Sequence, residues 1–240
     1  MSDRRRTPSR SAHPLGREAE TVDQAISLRD GFAAPVVAIA GDRAGGASTA
    51  LVAALAAALG VGAPVPRIDW TDGAPDAFLQ GMRDAPGTAA ALLLAIDAER
   101  LRRAGAHTRA ARPDAVLFVG GIDPAPALEA VDALGGARAV VLDQEDPRTP
   151  DCIQALAGVK GLRVLQVGRG REAAVRLVEA QLYTTCSAVT VSVGRETLDF
   201  CIGTPGLDAI EAAVSALAVV KAVGGDPAAS TTRFARAADA

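Results

Sequence analysis

The chain has 240 residues, of which 49% are hydrophobic, and this length and composition suit one ordinary domain with a sizeable core. Its net charge is −3, and its positive charges are mostly arginines scattered along the chain, which argues against nucleic acid as a partner. No stretch is long and apolar enough to cross a bilayer, so we expect no membrane association and a cytoplasmic location.

The beginning of the chain divides into an arm and the start of a compact domain. Residues 1–16 are polar, rich in Arg, Ser and Pro, and lack a hydrophobic period, which predicts disorder. Apolar residues at helical spacing then predict a short helix that ends at Gly31. We therefore assign residues 1–33 to a flexible N-terminal arm with a short helix, and residues 34–240 to one domain.

Short runs rich in Val, Ile and Leu then alternate with Ala-rich helical stretches. Continuous hydrophobic runs are typical of strands buried on both faces of a parallel sheet, and their alternation with helices predicts a doubly wound α/β fold. The predicted strands are residues 36–40, 65–69, 90–96, 115–119, 139–142 and 163–167. The predicted helices are residues 49–59, 76–83, 98–104, 127–134 and 150–157.

The pattern changes after Gly170, where hydrophobic residues alternate with polar ones and so predict an antiparallel β-meander. Its predicted strands are residues 175–182, 188–193 and 197–202. Pro205 and Gly206 interrupt the chain, and a last long helix follows that ends at Gly224. The predicted fold is a mostly parallel, P-loop-type sheet flanked by helices, followed by the meander and a C-terminal helix.

The loop between the first strand and the next helix has the position and nearly the pattern of a phosphate-binding P-loop. Against G-x-x-x-x-G-K-[ST], the sequence GDRAGGAS matches at every fixed position except the lysine, which is Ala47. A P-loop lysine neutralises the terminal phosphates of the nucleotide, and Arg43 is the cation of this loop. Alternatively, the glycines serve only a tight turn from strand to helix. The candidate nucleotide-binding residues are Gly41, Asp42, Arg43, Gly45, Gly46, Ser48 and Thr49.

Cysteine and histidine supply no further candidate site. Cys152, Cys186 and Cys201 are odd in number and widely spaced, which predicts buried small side chains rather than a disulfide framework or a zinc site. His13 and His107 lie in polar segments, without the neighbours that a catalytic triad or a metal site needs. We therefore predict no catalytic and no metal-ligating residue.

From the first strand to the last helix, the order of elements resembles the central domain of the Mur ligase family, which includes peptidoglycan precursor ligases and folylpolyglutamate synthetase. In residues 164–227, VLQVGRGREAAVRLVEAQL, a hairpin and TPGLDAIEAAVSALAVVKAVGGDP resemble the family's run through its G-x-H-N helix. VLDQEDP, residues 141–147, resembles V-L-N-x-D-D-P, which lies near the base and ribose of the nucleotide. The resemblance therefore adds Asp143 and Asp146 to the candidate nucleotide site.

The side chains that carry the family's chemistry are replaced in this chain. Ala47 stands at the P-loop lysine, and Ala125 and Pro126 stand at the Asp and His positions of the family's N-I-x-x-D-H segment. Asp208 and Ala209 occupy the His-Asn positions of the last helix, and the lysine that binds a second magnesium has no counterpart. A working ligase of this family also needs an N-terminal and a C-terminal domain, and we expect neither in this sequence.

These replacements lead to a preferred hypothesis and two others. We favour a non-catalytic Mur-ligase-like subunit without a cofactor, which docks on an intact ligase or another enzyme of its pathway as a homo- or hetero-oligomer. The alternative is an amide ligase or nucleotide-binding subunit that uses ATP and magnesium and completes its site with a partner chain, through Arg43 and Ser48. A Rossmann-type dehydrogenase is disfavoured because GDRAGG lacks the G-x-G-x-x-G spacing.

Overall fold

Strands and helices alternate along the described part of the chain. The structure is a computed structural model that describes residues 14–41, 49–60, 62–70, 75–97 and 109–235. The strands are β1 (Val36–Gly41), β2 (Arg67–Trp70), β3 (Leu92–Asp97), β4 (Ala115–Phe118), β5 (Ala139–Asp143), β6 (Arg163–Gly168), β7 (Val175–Leu182), β8 (Ser187–Val193) and β9 (Glu196–Ile202). The helices are α1 (Pro14–Gly31), α2 (Thr49–Leu59), α3 (Pro75–Asp84), α4 (Pro124–Ala133), α5 (Thr149–Leu156), α6 (Leu207–Ala222) and α7 (Pro227–Phe234).

The nine strands form one sheet in the order β2-β3-β1-β4-β5-β6-β7-β8-β9. Strands β1 to β6 are parallel, and β1 lies inside this part of the sheet between β3 and β4. A short parallel pairing joins β7 to β6, after which β8 and β9 continue as antiparallel strands. The change of hydrophobic period after Gly170 thus predicted the change of strand direction, and the predicted fold class is confirmed.

The sheet separates two hydrophobic cores, one on each face. In β1, Val37 and Ile39 belong to the core that α2, α6 and α7 cover. Val36, Ala38 and Ala40 belong to the core that α1, α3, α4 and α5 cover. All five side chains are at most 1% exposed. Burial on both faces explains why the parallel strands appear in the sequence as continuous hydrophobic runs.

The first helix is longer than the short helix predicted, and it packs on the sheet. It begins at Pro14, inside the segment predicted to be disordered. Ala25 is fully buried in one of the cores, and Arg29 forms an ion pair of 2.9 Å with Asp114. The rest of the arm lies outside the described residues, and the division of the chain into arm and domain stays a prediction.

Most predicted elements are present with shifted boundaries. The helix predicted at 127–134 begins earlier, at Pro124, because proline is favourable in the first turn of a helix. Helix α7 was not predicted; its first turn is capped by the Asp226 carboxylate, which accepts a hydrogen bond of 2.9 Å from Ala228 N. The helix predicted at 98–104 lies outside the described residues. None of the described helices is long and apolar enough to span a membrane.

Candidate functional site

Two of the candidate residues lie at the carboxyl edge of the parallel strands, where ligands bind in open α/β sheets. Gly41 ends β1 and is paired with Asp97, the last residue of β3. Asp143 ends β5, which β4 separates from β1. Gly41 and Asp143 therefore lie at the same edge of the sheet. The other predicted loop residues, Asp42, Arg43, Gly45, Gly46 and Ser48, lie outside the described residues.

Gly41 is required by the close approach of the neighbouring strand. A Cβ atom on Gly41 would lie 2.1 Å from the carbonyl oxygen of Val119, whose N–H donates to Ala40 O at 2.9 Å. Thr49 begins α2, so the strand and the helix expected on either side of a P-loop are both present. The glycine thus has a packing role that requires no nucleotide.

The Asp146 carboxylate is bound by Arg148. Its Oδ1 accepts hydrogen bonds from the Arg148 backbone N at 2.8 Å and Nε at 3.0 Å, and its Oδ2 accepts one from a terminal guanidinium nitrogen at 2.9 Å. The hydrogen bonds from Arg148 hold the pKa of Asp146 below its ordinary value. The same guanidinium lies 3.6 Å from Asp123 and 3.5 Å from Gly120 O. Arg148 therefore links the segment after β5 to the loop after β4.

A small cavity lies beside Asp143 and Asp146. The cavity that they line has a volume of about 10 Å³, which is room for about one water molecule. Thr149 Oγ1 donates to Asp143 O at 2.5 Å, and Cys152 Sγ donates to Ile122 O at 3.1 Å. Burial raises the pKa of the Cys152 thiol.

Carboxylates and Arg169 lie close together in the described part of this edge. The pKa of Glu211 in α6 is raised by partial burial and then by the negative charges of Asp143 and Asp208, while Arg169 acts in the opposite direction. The pKa of Asp143 is also raised, mainly by burial. Arg169 N donates to Glu145 Oε1 at 2.7 Å. We call Asp143, Glu145, Asp208 and Glu211 the acidic rim; sequence analysis did not include Glu211 in the site.

Helix α6 begins beside this edge, with Asp208 and Ala209 in its first turn. Ala209, which the resemblance aligns with the family's Asn, is 6% exposed and packs in a core, whereas Asp208 beside it is exposed. Of the cysteines, Cys152 is buried as predicted, whereas Cys186 is half-buried and Cys201 is exposed, because Cys201 lies on the face of β9 opposite to Phe200 and Ile202. Among the described residues, no group of three or more His, Cys, Asp or Glu side chains could hold a metal ion.

The sheet order, the glycine at the end of β1 and the antiparallel strands together define the fold of the Mur-type ligases. No family model matches this sequence, and no curated protein matches it. Solved structures do match, at 10% to 15% sequence identity, so the likeness is one of fold. It confirms the resemblance stated from the sequence at that level.

Three of these structures show how much is shared. The UDP-N-acetylmuramoylalanyl-D-glutamyl-2,6-diaminopimelate--D-alanyl-D-alanyl ligase of Acinetobacter baumannii has a TM-score of 0.69 and 13% identity, over 91% of this chain and 49% of that chain. MurF of Thermotoga maritima, solved in complex with ADP, has a TM-score of 0.67 and 15% identity, over 92% and 53%. The apo form of L. casei FPGS has a TM-score of 0.58 and 12% identity, over 92% and 67%. The chain therefore spans about half the length of the MurF chains that it matches.

Proposed function

We propose that this protein is a non-catalytic Mur-ligase-like subunit that acts as an accessory or docking protein for an intact ligase or another enzyme of its pathway. The observation that carries the proposal is the set of side chains in the described part of the carboxyl edge, which are mostly acidic or small. The shared fold supports the ligase-like part of the proposal, and the side chains at this edge support its non-catalytic part.

The charge of the edge disfavours a nucleotide. Phosphate sites in proteins offset the negative charge of the ligand with cations and backbone amides. In the described part of this edge, the acidic rim comprises four carboxylates, and Arg169 lies close to two of them, Glu145 and Glu211. A phosphate chain beside these carboxylates meets charge of its own sign, which is unfavourable.

The segment that the resemblance assigns to the base and ribose already has hydrogen-bond partners within the chain. Both oxygens of Asp146 are bonded to Arg148, and Asp143 Oδ1 accepts a hydrogen bond of 2.9 Å from Glu145 N. The Asp146 carboxylate already accepts three hydrogen bonds from Arg148, and hydrogen bonds between charged partners are among the stronger ones in proteins, so little acceptor capacity is left for a ribose hydroxyl. The cavity of about 10 Å³ beside them is too small for a sugar or a base.

The alternative is an amide ligase or a nucleotide-binding subunit that completes its site with a partner chain. One observation favours it: Gly41 and Thr49 keep the strand end and helix start that flank a P-loop. MurF of Thermotoga maritima has the same fold and was solved with ADP. Under this alternative, ATP and magnesium are the cofactors and Arg43 is the cation of the loop.

Titration calorimetry with ATP and magnesium tests the proposal. We expect no binding in the micromolar range and release of phosphate no faster than in buffer. An Ala47→Lys variant should be equally inactive, because one restored cation does not replace the several groups that stabilise a phosphoryl-transfer transition state. Turnover by the Ala47→Lys variant would contradict the proposal.

The alternative makes a different prediction for the loop cation. If Arg43 completes a nucleotide site, the protein binds ATP in the micromolar range and Arg43→Ala abolishes that binding. Arg195→Ala is the matched control, because Arg195 is an exposed arginine in the turn between β8 and β9. Binding that is lost in Arg43→Ala and kept in Arg195→Ala would reject the accessory role in favour of a shared site.

A further inference from the structure

A second cavity lies at the opposite edge of the sheet, where the parallel strands begin. Its volume is about 410 Å³. Asp114 joins the strands at this edge, since its N–H donates to Val36 O at 2.7 Å and its carbonyl oxygen accepts from Ala139 N at 3.2 Å. The charged side chains that line the cavity are Arg29, Arg112, Arg138, Asp30 and Asp114.

Arg29 and Asp114 form the partly buried part of this lining. The Arg29 guanidinium donates to the carbonyl oxygens of Ala111 at 3.1 Å and Arg112 at 3.2 Å, and to Asp114 Oδ2 at 2.9 Å. Asp114 Oδ2 also accepts a hydrogen bond of 2.9 Å from Val36 N. The two side chains are only 13% and 16% exposed, and each offsets the charge of the other.

Arg112 has a strained backbone. Its φ is 33°, the one positive φ of a non-glycine residue in the described part of the chain. Two sets of hydrogen bonds fix it: Arg112 N donates to Leu134 O at 3.0 Å, and Arg112 O accepts from the Arg29 guanidinium. The Arg112 side chain is 45% exposed and pairs with Asp30 beside the cavity. Backbone strain that the surrounding structure holds in place often marks a functional position.

Arg138 supplies a second exposed guanidinium. Its side chain is 84% exposed and lies 3.5 Å from Asp114, a carboxylate that Arg29 already pairs with. Three guanidinium groups thus share the cavity with two carboxylates, and the excess is one positive charge. Guanidinium groups bind carboxylates through two parallel N–H···O hydrogen bonds, which makes carboxylates the natural ligands of such a site.

We propose that this cavity binds the carboxylates of an extended acidic segment of a partner protein. Arg112 and Arg138 contact the segment, and Arg29 positions the backbone of Arg112. The cavity is larger than one carboxylate requires, and its two exposed arginines come from separate segments, before β4 and before β5, so that neighbouring acidic side chains can bind together. The choice of a protein segment as the ligand rests on the accessory function proposed above.

Fluorescence anisotropy with the full chain and a dye-labelled peptide of consecutive glutamates tests the site. We expect saturable binding that added salt weakens and that the corresponding glutamine peptide does not show. Arg112→Gln and Arg138→Gln should each weaken binding by roughly tenfold, because each removes hydrogen bonds between charged partners. Arg109→Gln is the matched control and should bind normally, because Arg109 pairs with Asp132, is 64% exposed and does not line the cavity.

Several outcomes would overturn this site. They are an absence of binding, equal affinity for the glutamine peptide, and an equal loss of affinity in Arg109→Gln. A fourth is displacement of the peptide by free glutarate at the peptide's own affinity, because this result would indicate that the ligand is a small dicarboxylate. If Arg112→Gln does not fold, Arg138→Gln decides alone, since Arg138 is almost fully exposed. ATP calorimetry on both variants should give the wild-type result, so a failure at this edge is distinguishable from a failure of the proposed function.

Discussion

The two edges of the parallel sheet differ in the charges of their described side chains. At the carboxyl edge, the acidic rim predominates in the described part. At the amino edge, the cavity measures about 410 Å³ and three arginines line it. Open α/β sheets bind their ligands at the carboxyl edge. The comparison teaches that a fold determines where strands end, whereas the side chains at those ends decide what binds there.

The largest effect is expected at the amino edge, for Asp114→Ala. The change leaves Arg29, which is 13% exposed, without its carboxylate and removes the acceptor of Val36 N. We expect the free energy of unfolding to fall by about 3 kcal/mol, since removal of one partner from a buried ion pair leaves an uncompensated charge. Urea denaturation measures this loss of stability.

Asp132→Ala is the control for this change, because the pair of Asp132 with Arg109 is exposed on both sides and should contribute less than about 1 kcal/mol. If the two variants lose the same stability, the amino edge does not depend on the pair of Arg29 and Asp114, and the difference between the edges is smaller than the structure indicates.

A smaller loss is expected at the carboxyl edge, for Gly41→Ala. The added Cβ would meet Val119 O at 2.1 Å, a backbone atom that cannot move without shifting β4. Overpacking of this kind typically lowers the free energy of unfolding by about 2 kcal/mol. Thermal unfolding measures the loss, with Gly31→Ala as control because nothing lies within 4 Å of its added Cβ. Wild-type stability of Gly41→Ala would mean that the carboxyl edge is looser than its packing suggests.

The smallest effect is expected for Glu211→Gln, which tests the electrostatic difference between the two edges. Because the folded-state pKa of Glu211 is raised, ionisation disfavours the folded state, and this cost appears as pH rises through that pKa. The variant should therefore be more stable than wild type at neutral pH, by about 0.5 kcal/mol or less since water screens the exposed side chain. The gain should vanish at pH values below the ordinary pKa of 4.5.

Denaturant unfolding at neutral and acidic pH measures this effect, with Glu196→Gln, an exposed residue at the start of β9, as the control. A loss of stability in Glu211→Gln at neutral pH would show that the acidic rim is not repulsive.

The fold could be predicted because its signals are local. The continuous apolar run of β1 indicates that both of its faces are buried. In β8, the alternation of Val189 and Val191 with polar residues indicates that one face is buried. Helix α7 was missed because its sequence has one large apolar side chain, Phe234, and much of its attachment is polar. An example is the hydrogen bond of 2.9 Å from Ser230 Oγ to Ala58 O, which no local pattern predicts.

The site could be predicted only in outline. The ends of β1 and β5 could be placed at one edge because parallel strands end together. The pairing of Asp146 with Arg148, the approach of Glu211 to Asp143 and the pairing of Arg29 with Asp114 depend on how segments pack in space. A pattern that matches a P-loop therefore indicates the backbone arrangement, while the charge around it had to come from the structure.

The position of β1 inside the parallel sheet also sets the order in which the chain can fold during synthesis. Val36 pairs with Leu92 in β3, and Val37 pairs with Ala115 in β4, so the first strand made must await neighbours that are made much later. Such long-range pairing is slow. Until β4 has left the ribosome, the strand exposes an unpaired edge that is hydrophobic on both faces, which is the kind of segment that aggregates. We therefore expect β1 of a nascent chain to be prone to aggregation until β4 has been made.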